Sequence, residues 1–212
     1  MLELSILPLF AMTCLLLAIS PGPDLVLISA YSSGQGFLAG VRISLGIFIA
    51  GLLQTLGVAL GLGQLMQQFP PLIMLVKLLG ALYLAWLGVN MLKTWWINKK
   101  QPQASVKATP LSSRNLLIKG FLNNLMNPKA ILFFSVFLVQ FTNDTQPMVP
   151  QIITLGVLLC TIVLLVNFAF SIIFSKVASI FAGKFKLAQH FDGILGTLFL
   201  ALAARLALSK EH

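Results

Sequence analysis

The stretch Ser20-Pro21-Gly22-Pro23-Asp24 stands inside an apolar run that otherwise extends from Leu4 to Tyr31, and its reading decides the fold. Its two prolines remove backbone donors and clash with the preceding turn, while Gly22 admits unusual dihedrals. Asp24 then sets a carboxylate in an otherwise apolar segment. In a spanning helix such a break frees backbone groups that lipid cannot satisfy. It is tolerated only where it is buried in protein or lines a wet cavity. An ionisable residue at that depth is costly and points to function. The bland alternative is a helix end, with Pro21 and Pro23 closing the first helix and Asp24 capping the next from a cytoplasmic loop.

Working outward, the whole chain shares this character. Of 212 residues 58% are hydrophobic and 9% charged, against roughly a quarter charged in soluble domains. The class is a polytopic membrane protein of one domain. A net charge of +9 suggests nucleic acid only until its location is noticed, because the bases are confined to particular loops. No nucleic-acid partner is needed. Cys14 and Cys160 lie in separate apolar runs without a CxxC or a histidine cluster, so they read as small apolar residues, and neither a metal nor a cofactor is implied. The first run lacks a basic region ahead of it, which predicts an uncleaved first span.

Apolar runs of bilayer length, about 20 residues, can be placed six times: approximately Leu4–Tyr31, Phe37–Leu65, Leu72–Trp95, Asn115–Phe141, Met148–Phe174 and Phe191–Leu208. Ser32-Ser33-Gly34, Phe69-Pro70-Pro71 and Thr142-Asn143-Asp144 read as breakers between them. Lys93, Lys99, Lys100, Lys107, Arg114 and Lys119 cluster between the third and fourth runs without an acid. The positive-inside rule puts that loop in the cytoplasm and, by parity, both termini outside. Arg205 and Lys210 pull weakly the other way. The expected organisation is a first repeat over 1–95, a cytoplasmic linker over 96–114 and a second repeat over 115–212.

Three spans on either side of the basic loop enter the membrane from opposite faces, the inverted-repeat plan of many secondary transporters. The first span of one half carries Pro21-Gly22-Pro23-Asp24; the first span of the other carries Asn127-Pro128-Lys129-Ala130. Each holds a proline followed by a charge, and paired interruptions of this kind point to a binding site. Asp24 is seven residues, about 10 Å, from Tyr31, and Lys129 is 14 residues, about 21 Å, from Asn115. The break and the reach of a lysine side chain let the two charges meet, and their opposite signs make them partners.

Other positions carry weaker signals. Gly36, Gly40 and Ser44, Gly57 and Gly61, Ala81, Ala85 and Gly88, and Gly193, Thr197 and Ala201 form small-residue faces that suit close helix approach. They are also compatible with a homodimer. Gln54, Asn123, Asn124 and Asn167 are polar at depth, where a cavity lining and an interhelical hydrogen bond explain them equally well. Lys77 reads as snorkelling to the outer face. Tyr83 lies near mid-span, on a cavity wall or in the core.

These residues together resemble the lysine exporter / homoserine–threonine resistance (LysE/RhtB) family of bacterial amino-acid exporters. The resemblance is carried by Pro21-Gly22-Pro23-Asp24 with Gly34, Gly36 and Gly40 behind it, by Lys77 to Gly88, by Asn127-Pro128-Lys129-Ala130 to Phe134 with Gln140-Phe141, and by Gly196 with Ala204-Arg205-Leu206. It implies a small multi-pass exporter of amino acids or close derivatives in the bacterial inner membrane, driven by the proton gradient. The second half is most similar to the leucine-exporter branch. A zwitterionic substrate needs a partner for each end: Asp24 for the ammonium, and Lys129 or a half-helix N-terminus for the carboxylate. Phe133 and Phe134 suit an apolar side chain. A rival enzyme-class reading makes Cys14 and Cys160 the redox pair of a membrane thiol–disulfide carrier, although neither adjoins a break. A small channel is the third reading, disfavoured because no ring of charges or filter-like stretch appears.

Overall fold

The computed structural model describes residues 6–20, 22–62, 109–143 and 145–177, with single positions between 65 and 96 and between 197 and 204. Most of the third and sixth apolar runs, including Lys77 and Tyr83, therefore lies outside the described residues, as does Pro21. Among the described residues every element is helical. Helix α1, Leu7–Ile19, takes Pro8 in its first turn, where a missing N–H costs nothing. Helix α2, Pro23–Gln35, opens on Pro23. Gly22 before it is extended at φ −171°, ψ 177°, the conformation that a following proline favours. The two helices meet at 56°.

One expected boundary moves. Helix α2 runs straight through Ser32-Ser33-Gly34 and ends at Gly36, whose φ is 85°. Serine and glycine weaken a helix by less than about 1 kcal/mol each, which packing readily offsets. A left-handed residue stops it outright, and glycine adopts that conformation without a Cβ penalty. Gly36 is thus a turn rather than part of a packing stripe. The correction evens the depths of the two breaks. Asp24 now lies about 17 Å along α2 from its far end at Gln35.

Helix α3, Phe37–Gly57, follows without a loop and widens into one π-type turn at Val58–Leu62. Helix α4, Ser113–Leu125, about 20 Å long, is capped by Ser112 Oγ, which accepts from the Asn115 N–H. At its other end Asn127 Oδ1 accepts from the Lys129 N–H at 3.0 Å, and Pro128 opens the short α5, Pro128–Leu132. An asparagine cap followed by proline is a strong helix start. It re-aims the chain by 55°. A π-type turn, Phe133–Phe137, and a 3₁₀ turn, Leu138–Phe141, continue it. Helix α6 spans Met148–Val177, 30 residues or about 45 Å.

The segments Phe37–Gly61 and Met148–Lys176 have mean hydropathy 2.0 and 2.7, and each is long enough to cross a bilayer. Each bent pair, α1 with α2 and α4 with the α5 segment, is apolar and long enough when taken together to form a broken span or a re-entrant loop. Leu45, Ile49, Leu53 and Leu56 on α3 and Val157, Leu165 and Ile172 on α6 are exposed, a surface that suits lipid and not water. The protein is an all-α polytopic membrane protein.

Helix α3 is the central post, and glycine sets how close its neighbours come. A Cβ on Gly46 would run into the backbone of Leu117 and Phe121, and one on Gly120 into the backbone of Ile43. Helices α3 and α4 therefore touch main chain to main chain. Gly40 lies against the hydroxyls of Ser32 and Ser171, as its small-residue face suggested. Gly57 and Gly61 have no atom within 4 Å where a Cβ would stand, among the described residues, so that expected face packs on none of them. Around the post, Phe10, Phe133, Phe137 and Phe141 form an aromatic column with centroid spacings of 4.4 to 5.6 Å, in tilted, edge and stacked pairs that favour ring quadrupoles. Cys14 and Cys160 are buried in the same cluster.

Candidate functional site: a cavity between two broken helices

The two breaks face each other, and each charge is bound by the other half of the chain. Asn123 Nδ2 donates to Asp24 Oδ1 at 2.6 Å and Asn124 Nδ2 to Asp24 Oδ2 at 2.8 Å. Across from them Lys129 Nζ donates to Ser20 Oγ at 2.9 Å. The Lys129 side chain passes over Gly22, where an added Cβ would stand 3.6 Å from Nζ. Lys129 acts on the Asp24 carboxylate through its field, while the two asparagine amides bond it directly. The expected partnership thus takes the form of a shared site with an amide clamp between the charges. Two amide donors supply part of what water would give a carboxylate, which lowers the cost of its burial.

Between these groups lies a cavity of about 80 Å³, room for several waters. Gly22, Asp24, Asn124, Asn127, Lys129 and Phe133 all line it, as do Ser20 and Asn167. Ile47, Phe48, Phe134 and Val163 make it apolar elsewhere. Pro128 shapes the site from the first position of α5. Gln54 is not on the wall; its Nε2 donates to the Asn124 backbone carbonyl at 3.1 Å and buttresses the clamp from behind. Pro21 and Tyr83 are outside the described residues.

Sequence reasoning weighed Asn123 and Asn167 only as polar residues at depth and gave Ser20 no role beyond its place in the motif. In a regular helix adjacent residues point 100° apart, so Asn123 and Asn124 would not both be expected to reach one carboxylate. They do so because the helix ends at Leu125 and Asp24 sits across its last turn. The one signal available was the doubling itself, two amides side by side in an apolar run.

A helical bundle in which two proline-broken apolar helices bring opposite charges to one cavity has the architecture of a membrane transporter. The chain belongs to the LysE type translocator family, whose sequence profile matches residues 15–210. It is similar to an uncharacterized membrane protein of Pseudomonas aeruginosa, 32% identical over 192 residues and 88% of each chain. It is also similar to a leucine efflux protein of Enterobacter sp., 34% identical over 191 residues and 88% of each chain. A homoserine/homoserine lactone efflux protein of Salmonella typhi is 27% identical over 208 residues, 95% of this chain and 96% of that one. No solved structure matches the chain. Membership makes the protein a membrane translocator and not an enzyme, which sets aside the thiol–disulfide reading. Both thiols are free.

Proposed function

We propose that the protein exports neutral amino acids or close derivatives, leucine-like ones included, across the bacterial inner membrane in exchange for protons. The observation that carries this is the cross-tied pair of breaks, with Asp24 held by Asn123 and Asn124 and Lys129 held by Ser20 around one cavity. A zwitterion can replace these internal partners end for end. Its ammonium takes the Asp24 carboxylate, and its carboxylate takes Lys129 and the first-turn N–H groups of α2. Its side chain rests on Phe133 and Phe134.

Proton exchange follows from the same clamp. An ionised Asp24 accepts from both amides; a protonated one carries a donor on one oxygen and accepts there more weakly, so both amide bonds lose their charge assistance. Protonation therefore competes with substrate ammonium and loosens the link between α2 and α4. In this proposal the two halves, 1–95 and 115–212, are inverted repeats of three spans joined by a cytoplasmic linker, and alternating access is the rocking of one against the other. A homodimer is compatible with it and not required. Relatives named for leucine and for homoserine efflux support the substrate class.

Counterflow into proteoliposomes preloaded with each of the twenty amino acids tests the proposal. Accumulation of labelled neutral amino acid is expected only in matching vesicles. If none of the twenty moves, the proposal fails.

A further inference from the structure

Beyond the cavity, three helix faces run on together toward the end of α2. On α2 the face of Asp24 continues through Ile28 to Ser32; on α3 that of Gly51 and Ile47 continues to Ser44 and Gly40; on α6 that of Val163 and Asn167 continues to Ser171. Each face starts in the cavity lining. Their far ends meet, because an added Cβ at Gly40 would collide with the hydroxyls of both Ser32 and Ser171. Ser32, Ser44 and Ser171 are wholly buried and Asn167 nearly so. Ser33 beside them is exposed and donates to the Phe174 carbonyl at 3.4 Å. A polar seam therefore leaves the cavity and stops one residue short of the surface, about 12 Å along α2 from Asp24. Packing alone predicts hydroxyls that satisfy themselves. Ser44 and Ser171 do, donating to the Gly40 and Asn167 carbonyls at 2.8 Å each. Ser32 Oγ and Asn167 Nδ2 do not; both are buried without a hydrogen-bond partner among the described residues. An unmatched buried donor is costly, and two of them beside hydroxyl oxygens with free lone pairs make a wall suited to water.

Resting on the carrier reading above, we infer that this seam is the route by which the Asp24 proton leaves the cavity, along a short file of water held by Asn167, Ser171 and Ser32. The Asn167 amide orients the first water and takes no proton itself. Each serine hydroxyl rotates off its resting partner, accepts a proton from the water on one side and passes its own to the water on the other. One proton leaves Asp24, one emerges beside Ser33, and the serines are changed only in orientation. Asp24 is left ionised, ready for its two amides or for a substrate ammonium. Three helices closing on a bare glycine leave no width for an amino acid, so proton and substrate take different paths from one cavity. The basic loop assigns this end of the bundle to the cytoplasm, the side to which an inward proton gradient drives the proton.

Two assays on the purified full chain in proteoliposomes separate the two paths. Counterflow exchanges labelled for unlabelled amino acid and needs no net proton movement; a trapped pH-sensitive dye reads the protons that accompany net amino-acid movement. Ser32→Ala combined with Ser171→Ala should exchange amino acid as the wild type does, while proton movement falls by about tenfold or more, the worth of one hydrogen bond in the relay. Either single variant should fall part of the way. Should the double variant fail to accumulate, Ser171→Ala alone is read by the same ratio of protons to amino acid exchanged. An unchanged ratio overturns the inference, as does equal loss of exchange and proton movement, which makes the serines structural. A wild type that exchanges amino acids but moves no protons overturns the inference and leaves amino-acid exchange standing; one that exchanges none of the twenty overturns the carrier reading with it.

Discussion

Replacing Asn123 by alanine removes one bond of the Asp24 clamp and leaves Asn124 in place. That bond is short, 2.6 Å, and its acceptor is charged, so its net contribution falls at about 1.5–3 kcal/mol. Asn123 and Asp24 are only partly buried, and cavity water resolvates the freed carboxylate oxygen, so about 2 kcal/mol is the working figure. For a chain of this length 1 kcal/mol moves a thermal midpoint by about 2–4 °C, which predicts a fall of about 4–8 °C. Asp24→Ala strands both amides and the Lys129 ammonium and should cost more, about 3–5 kcal/mol. In the double variant the bond can be lost only once. Its midpoint should lie about 4–8 °C above that expected from adding the two single shifts. The assay is tryptophan-fluorescence melting of purified protein in nanodiscs. Additivity to within about 0.5 kcal/mol would refute the clamp. Coupling of Asp24 to Lys129, which acts across space, should be the weaker of the two cycles.

Three further outcomes are expected. Gly120→Leu should keep the protein from accumulating in membranes, because its side chain would enter the Ile43 backbone, while Gly57→Leu should be tolerated; immunoblots of membrane fractions decide this. Replacing Pro21, Gly22 and Pro23 together by alanine should let α1 and α2 fuse into one helix, giving an inserted protein without export in the counterflow assay. A cysteine at Ser105 should resist impermeant thiol reagents in intact cells and one at Thr145 should react, and the reverse labelling would sink both the orientation and the inverted repeat.

The breaks were legible in the sequence because proline acts locally. Its missing donor and fixed φ disrupt a helix whatever surrounds it, so Pro23 and Pro128 could be placed without a structure. The approach of Asp24 and Lys129 was legible through helical rise together with the break, the reach of a lysine side chain and their opposite signs. What binds them was not. Asn123 and Asn124 lie about a hundred residues from Asp24, and which helix face meets the carboxylate depends on how α4 crosses α2. Glycine shows the same divide. Gly46 and Gly120 hold the closest backbone approach but carry no spacing signal that names each other, whereas Gly57 and Gly61 carry the spacing and pack on no described residue. The end of α2 was misplaced because Ser32-Ser33-Gly34 resembles a loop in composition, while the residue that stops the helix does so by its sign of φ. Asn167 announced only that it was polar; that its donor has no partner among the described residues is a property of the folded wall.

In the proposed function Asp24 is the group that exchanges a proton for an amino acid. Proteoliposomes holding a trapped pH-sensitive dye measure this directly, when a transported amino acid is added outside. The wild type should show proton movement out of the vesicle that follows the amino acid in, and Asp24→Asn, with its fold verified by melting, should show none. Equal proton movement in the Asp24→Asn protein would contradict the account.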